Sequence, residues 1–140
     1  MKFRNKYWFL SNMYPCPVTI KINNQPMTFT CTEAAFQAMK APDCANLFLK
    51  LNGFEAKELG KTVELKPNWD TIKITVMEII IYAKFKQNPH LQRKLIRIKE
   101  PIVEENTWGD TFWGTCNNHG KNNLGKILEW IRYESQTHGL

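Results

Sequence analysis

A chain of 140 residues, 43% hydrophobic and 23% charged, has the size and make-up of one globular domain with one core. No run approaches the ~18 apolar residues that a membrane span needs. The opening residues, with Lys2, Arg4 and Lys6, lack the apolar stretch of a secretory signal, so the cytosol is the expected location.

Cys16, Cys31, Cys44 and Cys116 are far apart and form no Cys-x-x-Cys pair, and His90, His119 and His138 are scattered too. Free thiols in a reducing compartment are expected, with no metal site. The formal net charge is +6, and Lys84, Lys86, Arg93, Lys94, Arg97 and Lys99 supply as much positive charge with no acid among them. Such a stretch reads either as a solvated helix face or as a face that draws in phosphates or nucleic acid.

In chain order, Phe9-Leu10-Ser11-Asn12-Met13-Tyr14-Pro15 comes first. It sets polar Ser11 and Asn12 between large apolar groups, which suits a pocket wall and equally a packed strap. Val18, Ile20 and Ile22 then alternate with polar residues, Asn23-Asn24-Gln25-Pro26 turns the chain, and Met27, Phe29 and Cys31 alternate back. This pattern predicts a β-hairpin.

Thr30-Cys31-Thr32-Glu33 fits a capping box and predicts a helix from Thr30 to about Ala41, stopped by Pro42. Asp43 is placed to cap a second helix carrying Leu47, Phe48 and Leu51, closed by Asn52-Gly53, and a third runs from about Glu55 to Leu59. Asn68 precedes the strongest helical pattern, with Ile72, Val76, Ile79, Ile80 and Ala83 as its inward stripe. Asn88-Pro89 caps and opens another helix, with Leu91, Leu95 and Ile98 facing in until Pro101. Ile102-Val103 suits a short strand. Residues 108–122 read as a loop of glycine, asparagine and aromatics. Asn123 caps a last helix with Leu124, Ile127, Leu128 and Ile131 on one face, and the chain is expected to fray after Glu134. The result is a single helix-dominated α+β domain with a small antiparallel sheet.

Two places carry possible chemistry. In Trp108-Gly109-Asp110-Thr111-Phe112-Trp113-Gly114, tryptophan offers a face on which a base can stack, and glycine permits close backbone approach. The same residues would also serve to pin a loop to the core. Glu33, read alone, is the third residue of a capping box. It shares a helix face with Phe36, Gln37 and Lys40, so Glu33 and Lys40 could also grip opposite sides of one small ligand.

Taken together, these blocks resemble a known family. The ordered set comprises Phe9-Leu-Ser-Asn-Met-Tyr-Pro15, Thr32-Glu-Ala-Ala-Phe-Gln-Ala-Met-Lys40, Trp69-Asp70, Lys84-Phe-Lys-Gln-Asn88, Val103-Glu104, Asp110-Thr-Phe-Trp-Gly114 and Gly120-Lys-Asn-Asn-Leu-Gly125. It is similar to the NADAR family, the YbiA-like N-glycosidases formerly labelled DUF1768, over nearly the whole chain. The chain departs from that pattern at Asn5-Lys6, where many relatives have Gly-Glu, and at Met13, where many have Phe.

The resemblance implies hydrolysis of an N-glycosidic bond, and no cofactor is expected. The implied substrates are ADP-ribose attached to guanine, in nucleotide or nucleic-acid form, and ribosylamino phosphates of riboflavin synthesis. An ADP-ribosyltransferase toxin would be the counterpart of the first activity. Carried over, Glu33, Lys40 and Asp110 are the implied catalytic residues. Arg4, Phe9, Ser11, Asn12, Tyr14, Trp69, Trp113, Gly114 and Asn122 are the implied substrate contacts. Lys40 would act as a binding cation or as an imine-forming amine. A non-catalytic ADP-ribose or NAD sensor is the alternative of another class.

Overall fold

The computed structural model describes all 140 residues. The fold is helix-dominated α+β with one two-stranded antiparallel sheet. The chain divides into two compact units: residues Asn12–Asn88 form a middle unit, and Met1–Ser11 with Pro89–Leu140 form a terminal unit. No helix is long and apolar enough to cross a membrane.

In the middle unit, β1 (Val18–Ile22) pairs with β2 (Gln25–Phe29). The turn is only Asn23-Asn24, both at positive φ (51° and 64°), the tight turn that matches strand twist. Gln25 and Pro26, expected in the turn, therefore belong to β2, and Pro26 faces Lys21. Val18, Ile20 and Ile22 are buried as their alternation requires. The outer edge of β1 is covered at Thr19, whose N–H donates to Gln87 Oε1 at 2.7 Å and whose carbonyl accepts from Gln87 Nε2 at 2.8 Å. A side-chain amide thus stands in for a third strand.

Helix α1 (Thr32–Lys40) starts two residues later than the sequence pattern suggests, with Cys31 at the cap position. The capping box expected at Thr30 does not form; the Thr30 hydroxyl donates to the Leu51 carbonyl instead. A capping box does form at α2 (Gly53–Gly60), where Asn52 Oδ1 accepts from Glu55 N and Glu55 Oε1 accepts from Asn52 N, both at 2.9 Å. The segment Pro42–Phe48 is a 3-10 helix without a side-chain cap from Asp43, and Leu47 is exposed.

Helix α3 (Trp69–Gln87) follows Asn68, which is left-handed and offers no side-chain cap. Its buried residues include Trp69, Val76, Met77, Ile80, Ile81, Lys84 and Phe85, while Ile79, expected inside, is exposed. Lys84, read as part of a basic face that is either solvated or open to phosphates, is 1% exposed and belongs to neither.

In the terminal unit, α4 (Pro89–Arg97) opens on Pro89 as expected. Asn88 serves the preceding helix instead, its Nδ2 donating to the Lys84 and Pro17 carbonyls at 2.8 and 3.0 Å. Leu91, Leu95 and Ile98 of this stretch and Leu124, Ile127, Leu128 and Ile131 of α5 (Asn123–Thr137) are buried. Each such side chain contributes roughly 1.5–3 kcal/mol by leaving water. Arg132 Nη1 donates to the carbonyls of Ile98 and Glu100, both at 2.9 Å, tying α5 to the end of α4. A 3-10 helix, Asn5–Leu10, was not foreseen. Ile102-Val103 forms no strand; isolated bridges join Glu105 to Lys2 and Thr115. The expected fray after Glu134 is shorter than foreseen, because α5 continues to Thr137 and Ser135 Oγ donates to the Ile131 carbonyl at 2.7 Å.

Candidate active site

The α1 face that presents Glu33 is assembled from inside the middle unit. The Asn12 carbonyl accepts the Glu33 N–H at 2.9 Å, taking one of the amides that a helix start leaves open. The Asn12 side chain donates to Met77 Sδ at 3.7 Å. The residue thus couples the strap before β1 to both α1 and α3.

Glu33 is 9% exposed. Its Oε1 accepts from Gln37 Nε2 at 3.2 Å, one helical turn further on. Gln37 is itself buried, and its Oε1 has no hydrogen-bond partner. This orientation gives the carboxylate oxygen a donor; turning the amide would set two acceptor oxygens against each other. The outward side of that amide lies on Gly60 of α2, where an added β-carbon would fall on Gln37 Oε1. Gly60 therefore makes room for the group that holds Glu33, a role its position at a helix end hides in the sequence.

Lys40 lies two turns along the same face, half-buried, with its ammonium 5.9 Å from the Phe36 ring centre. Burial lowers its pKa from the usual lysine value; Glu33 works against that, and Lys73 and Lys57 add to it. Phe36 packs at a tilt on Trp69, with ring centres 5.2 Å apart. Trp69 is 6% exposed, so it is a wall of the site rather than an open stacking platform. Tyr14 sits with its ring centre 5.8 Å from the Lys84 ammonium. Lys84, at the end of the same helix as Trp69, is pushed down by burial from 10.5 to about 8.

The other expected site residues belong to the terminal unit and form a polar scaffold there. Asp110 Oδ1 accepts from the backbone amides of Phe112 and Trp113 at 3.0 and 2.9 Å. Asn106 braces the same loop, donating to Glu104 Oε2 and the Asp110 carbonyl at 2.8 Å each and accepting from Asp110 N at 3.0 Å. Asn122 accepts from Glu104 N at 2.9 Å and donates to the Ile102 carbonyl at 3.0 Å. Gly114 lies where a β-carbon would meet the Glu104 carboxylate. Asn122 and Gly114, expected at substrate, are thus committed to backbone and packing. Phe9 is a core residue, 3% exposed, with the Lys94 ammonium 4.6 Å from its ring centre. Trp113 is half-buried and meets Phe112 edge-on at 4.8 Å. Ser11 closes the 3-10 helix through its N–H to the Trp8 carbonyl, and Arg4 is exposed.

The structure thus brings Asn12, Glu33, Lys40 and Trp69 together in one unit, and gathers Asp110, Trp113, Gly114 and Asn122 in the other. A buried carboxylate and a partly desolvated amine on one helix face can stabilise positive charge on a sugar carbon and hold an anion beside it.

The NADAR domain family model matches residues 1–135. This chain belongs to the NADAR family. Among NADAR relatives, it is 31% identical over 139 residues to the riboflavin biosynthesis protein VVA0006 of Vibrio vulnificus, an alignment covering 93% of this chain and 36% of that one. It is 34% identical over 83 residues to the N-glycosidase Npun_R5314 of Nostoc punctiforme, covering 57% of this chain and 53% of that one. It is 30% identical over 132 residues to the N-glycosidase YbiA of Shigella flexneri serotype 5b, covering 90% and 80% of the two chains. The chain spans about a third to a half of the length of the first two. The NMR structure of the E. coli protein YbiA superposes with a TM-score of 0.79 at 27% identity, covering 97% of this chain and 84% of that one.

Proposed function

We propose that this chain is an N-glycosidase that hydrolyses the ribosyl C1–N bond of an ADP-ribose conjugate, removing ADP-ribose from guanine. The observation that carries the reading is the Glu33 carboxylate, buried on α1, held by Gln37 and sharing its face with Lys40. Relatives named N-glycosidases support the reaction type.

Breaking a ribosyl C1–N bond sends the bonding electrons to the base nitrogen and builds positive charge at C1. A carboxylate beside C1 offsets that charge or takes a proton from the attacking water, as in glycoside hydrolysis generally. The water oxygen bonds to C1, and its proton ends on the departing base. Lys40 holds the ribose or phosphate oxygens as a cation. Its partial burial also raises the fraction of free amine, which an imine route through a ring-opened C1 would use.

The test is incubation with ADP-ribosylated guanosine and detection of free ADP-ribose and guanosine by mass spectrometry. Release by the wild type and none by Glu33→Gln supports the reading. Tight binding with no release by either points to an ADP-ribose sensor. A second reading, hydrolysis of a ribosylamino phosphate of riboflavin synthesis, is favoured by the similarity to a riboflavin biosynthesis protein. It predicts turnover of that small substrate and none of the guanine conjugate.

A further inference from the structure

We infer that Lys57 and Lys73 join Lys40 to form the phosphate-holding side of the Glu33 site. The enzyme would then select ribosyl substrates that carry phosphate away from the scissile bond. This rests on the reading that Glu33 acts at a ribosyl carbon.

The geometry follows from helix phase. On α2, Gly60 lies against the Gln37 amide. Lys57 precedes Gly60 by three residues and so shares its face. On α3, Trp69 packs on Phe36, and Met77 receives the Asn12 amide. Lys73 is four residues from each and lies on the stripe between them. Helix phase thus sets one lysine of α2 and one of α3 on the sides of those helices that lie against α1 and the strap before β1. Both lysines lie near enough to disfavour the charged form of Lys40, against the larger opposing effect of Glu33.

Three like charges gathered at a half-buried place repel one another, and a bound anion relieves the repulsion. Glu33 offsets it at Lys40, and Asp70 offsets it at Lys73, with Oδ1 3.2 Å from Lys73 Nζ. The Asp70 side chain is 91% exposed, however, against 25% for Lys73. An exposed pair of this kind is weak enough for an incoming phosphate to displace. Glu33 and Lys40 are about 10 Å apart along the axis at ~1.5 Å per residue. A ribose with its anomeric carbon at Glu33 and its long axis along α1 would carry its phosphate toward the lysines.

The test is calorimetric binding of ribose 5-phosphate and of ribose to the intact chain. The variants are Lys57→Gln, Lys73→Gln, the double variant and Glu33→Gln, with melting curves to confirm folding. Wild type should bind ribose 5-phosphate and show no measurable affinity for ribose. Each lysine change should weaken phosphate binding about tenfold, the scale of one charge-assisted hydrogen bond, and arginine at either position should restore it. Glu33→Gln should still bind ribose 5-phosphate. With an active substrate, the lysine variants should raise KM more than they lower kcat. Ribose 5-phosphate binding that survives the double variant, or that is no stronger than ribose binding in the wild type, overturns the inference. Phosphate binding that depends on these lysines in a protein that releases no base overturns the glycosidase reading and leaves the subsite standing.

Discussion

Glu33 in the middle unit and Asp110 in the terminal unit are held in different ways. Glu33 is 9% exposed on a helix face, and its Oε1 accepts from the carboxamide of Gln37. Asp110 is half-buried in a loop, and its Oδ1 accepts two backbone amides that turn the chain through Phe112 and Trp113. A carboxylate that receives backbone amides sets the path of the chain. One that accepts from the side chain four residues on leaves the path of its helix unchanged. The largest expected effect follows from this difference. Glu33→Gln should lower kcat by roughly 10²–10⁴-fold, the range typical of a lost acid–base or charge-stabilising group. Its melting temperature should move by only a few degrees. A variant with full turnover and a lowered melting temperature would return Glu33 to a structural role.

Two lysines sharpen the comparison inside the middle unit. Lys40 is half-buried two turns along the helix face from Glu33, whereas Lys84 is wholly enclosed beside Tyr14 and Phe85. Burial lowers both, but Lys84 alone is taken as far as about 8 from the usual 10.5. Because the folded state releases this proton first, the unfolded state binds more protons between about pH 8 and 10.5. The Lys84 contribution to stability therefore rises with pH across that window, by about 3 kcal/mol at ~1.4 kcal/mol per pH unit. Cys16 and Cys31 oppose it. Burial raises both thiols above their usual 9.0, so their contribution falls as pH rises past that value. The difference between wild type and Lys84→Met in urea titrations isolates the lysine. It should narrow from pH 8 to 10.5. A difference independent of pH would remove the burial cost assigned to Lys84.

Lys84 also shows where the sequence misleads. The stripe Ile72, Val76, Ile79, Ile80 and Ala83 suggests one inward face, yet Ile79 is exposed and Lys84 is enclosed. Helix α3 carries apolar residues nearly all round, so periodicity cannot decide its facing. A lysine's long aliphatic stem packs against aromatic rings as readily as it reaches water. The hairpin, α4 and α5 were legible because the aliphatic residues of each recur at one spacing; in α5 Leu124, Ile127, Leu128 and Ile131 are buried, while Trp130 and Tyr133 are exposed. The capping box was legible as chemistry but not as place: Thr30 bonds to Leu51, and the box forms at Asn52–Glu55. Seven asparagines at positive φ, Asn5, Asn23, Asn24, Asn68, Asn117, Asn118 and Asn122, do work usually left to glycine. Asn68 and Asn122 thus stand before helices without capping them through their side chains. Around Glu33, the shared helix face of Glu33, Gln37 and Lys40 was legible from spacing, and Asn12 from a separate block. The contacts of Gly60 with Gln37 and of Asn12 with Met77 were not, because they depend on which helix lies against α1.

Gly60 gives the next test. A β-carbon there meets the Gln37 amide, and the crowding should cost ~1–3 kcal/mol. Gly60→Ala should also lower kcat, because Gln37 can yield only by moving the group that holds Glu33. Gly60→Ala with reduced stability and unchanged kcat would show that the Gln37 contact shapes the fold but not the chemistry.

The smallest effect expected is at Asp110, and it returns to the two carboxylates. Asparagine keeps an Oδ1 acceptor for the Phe112 and Trp113 amides, whereas alanine removes it. Asp110→Ala should therefore lose ~1–2 kcal/mol, the scale of a lost side-chain cap, and Asp110→Asn much less. If Asp110 only braces its loop, Asp110→Asn keeps most of the activity. If Asp110→Asn keeps its melting temperature and loses activity as deeply as Glu33→Gln, both carboxylates act on substrate, and two backbone bonds to one oxygen do not mark a group as scaffolding.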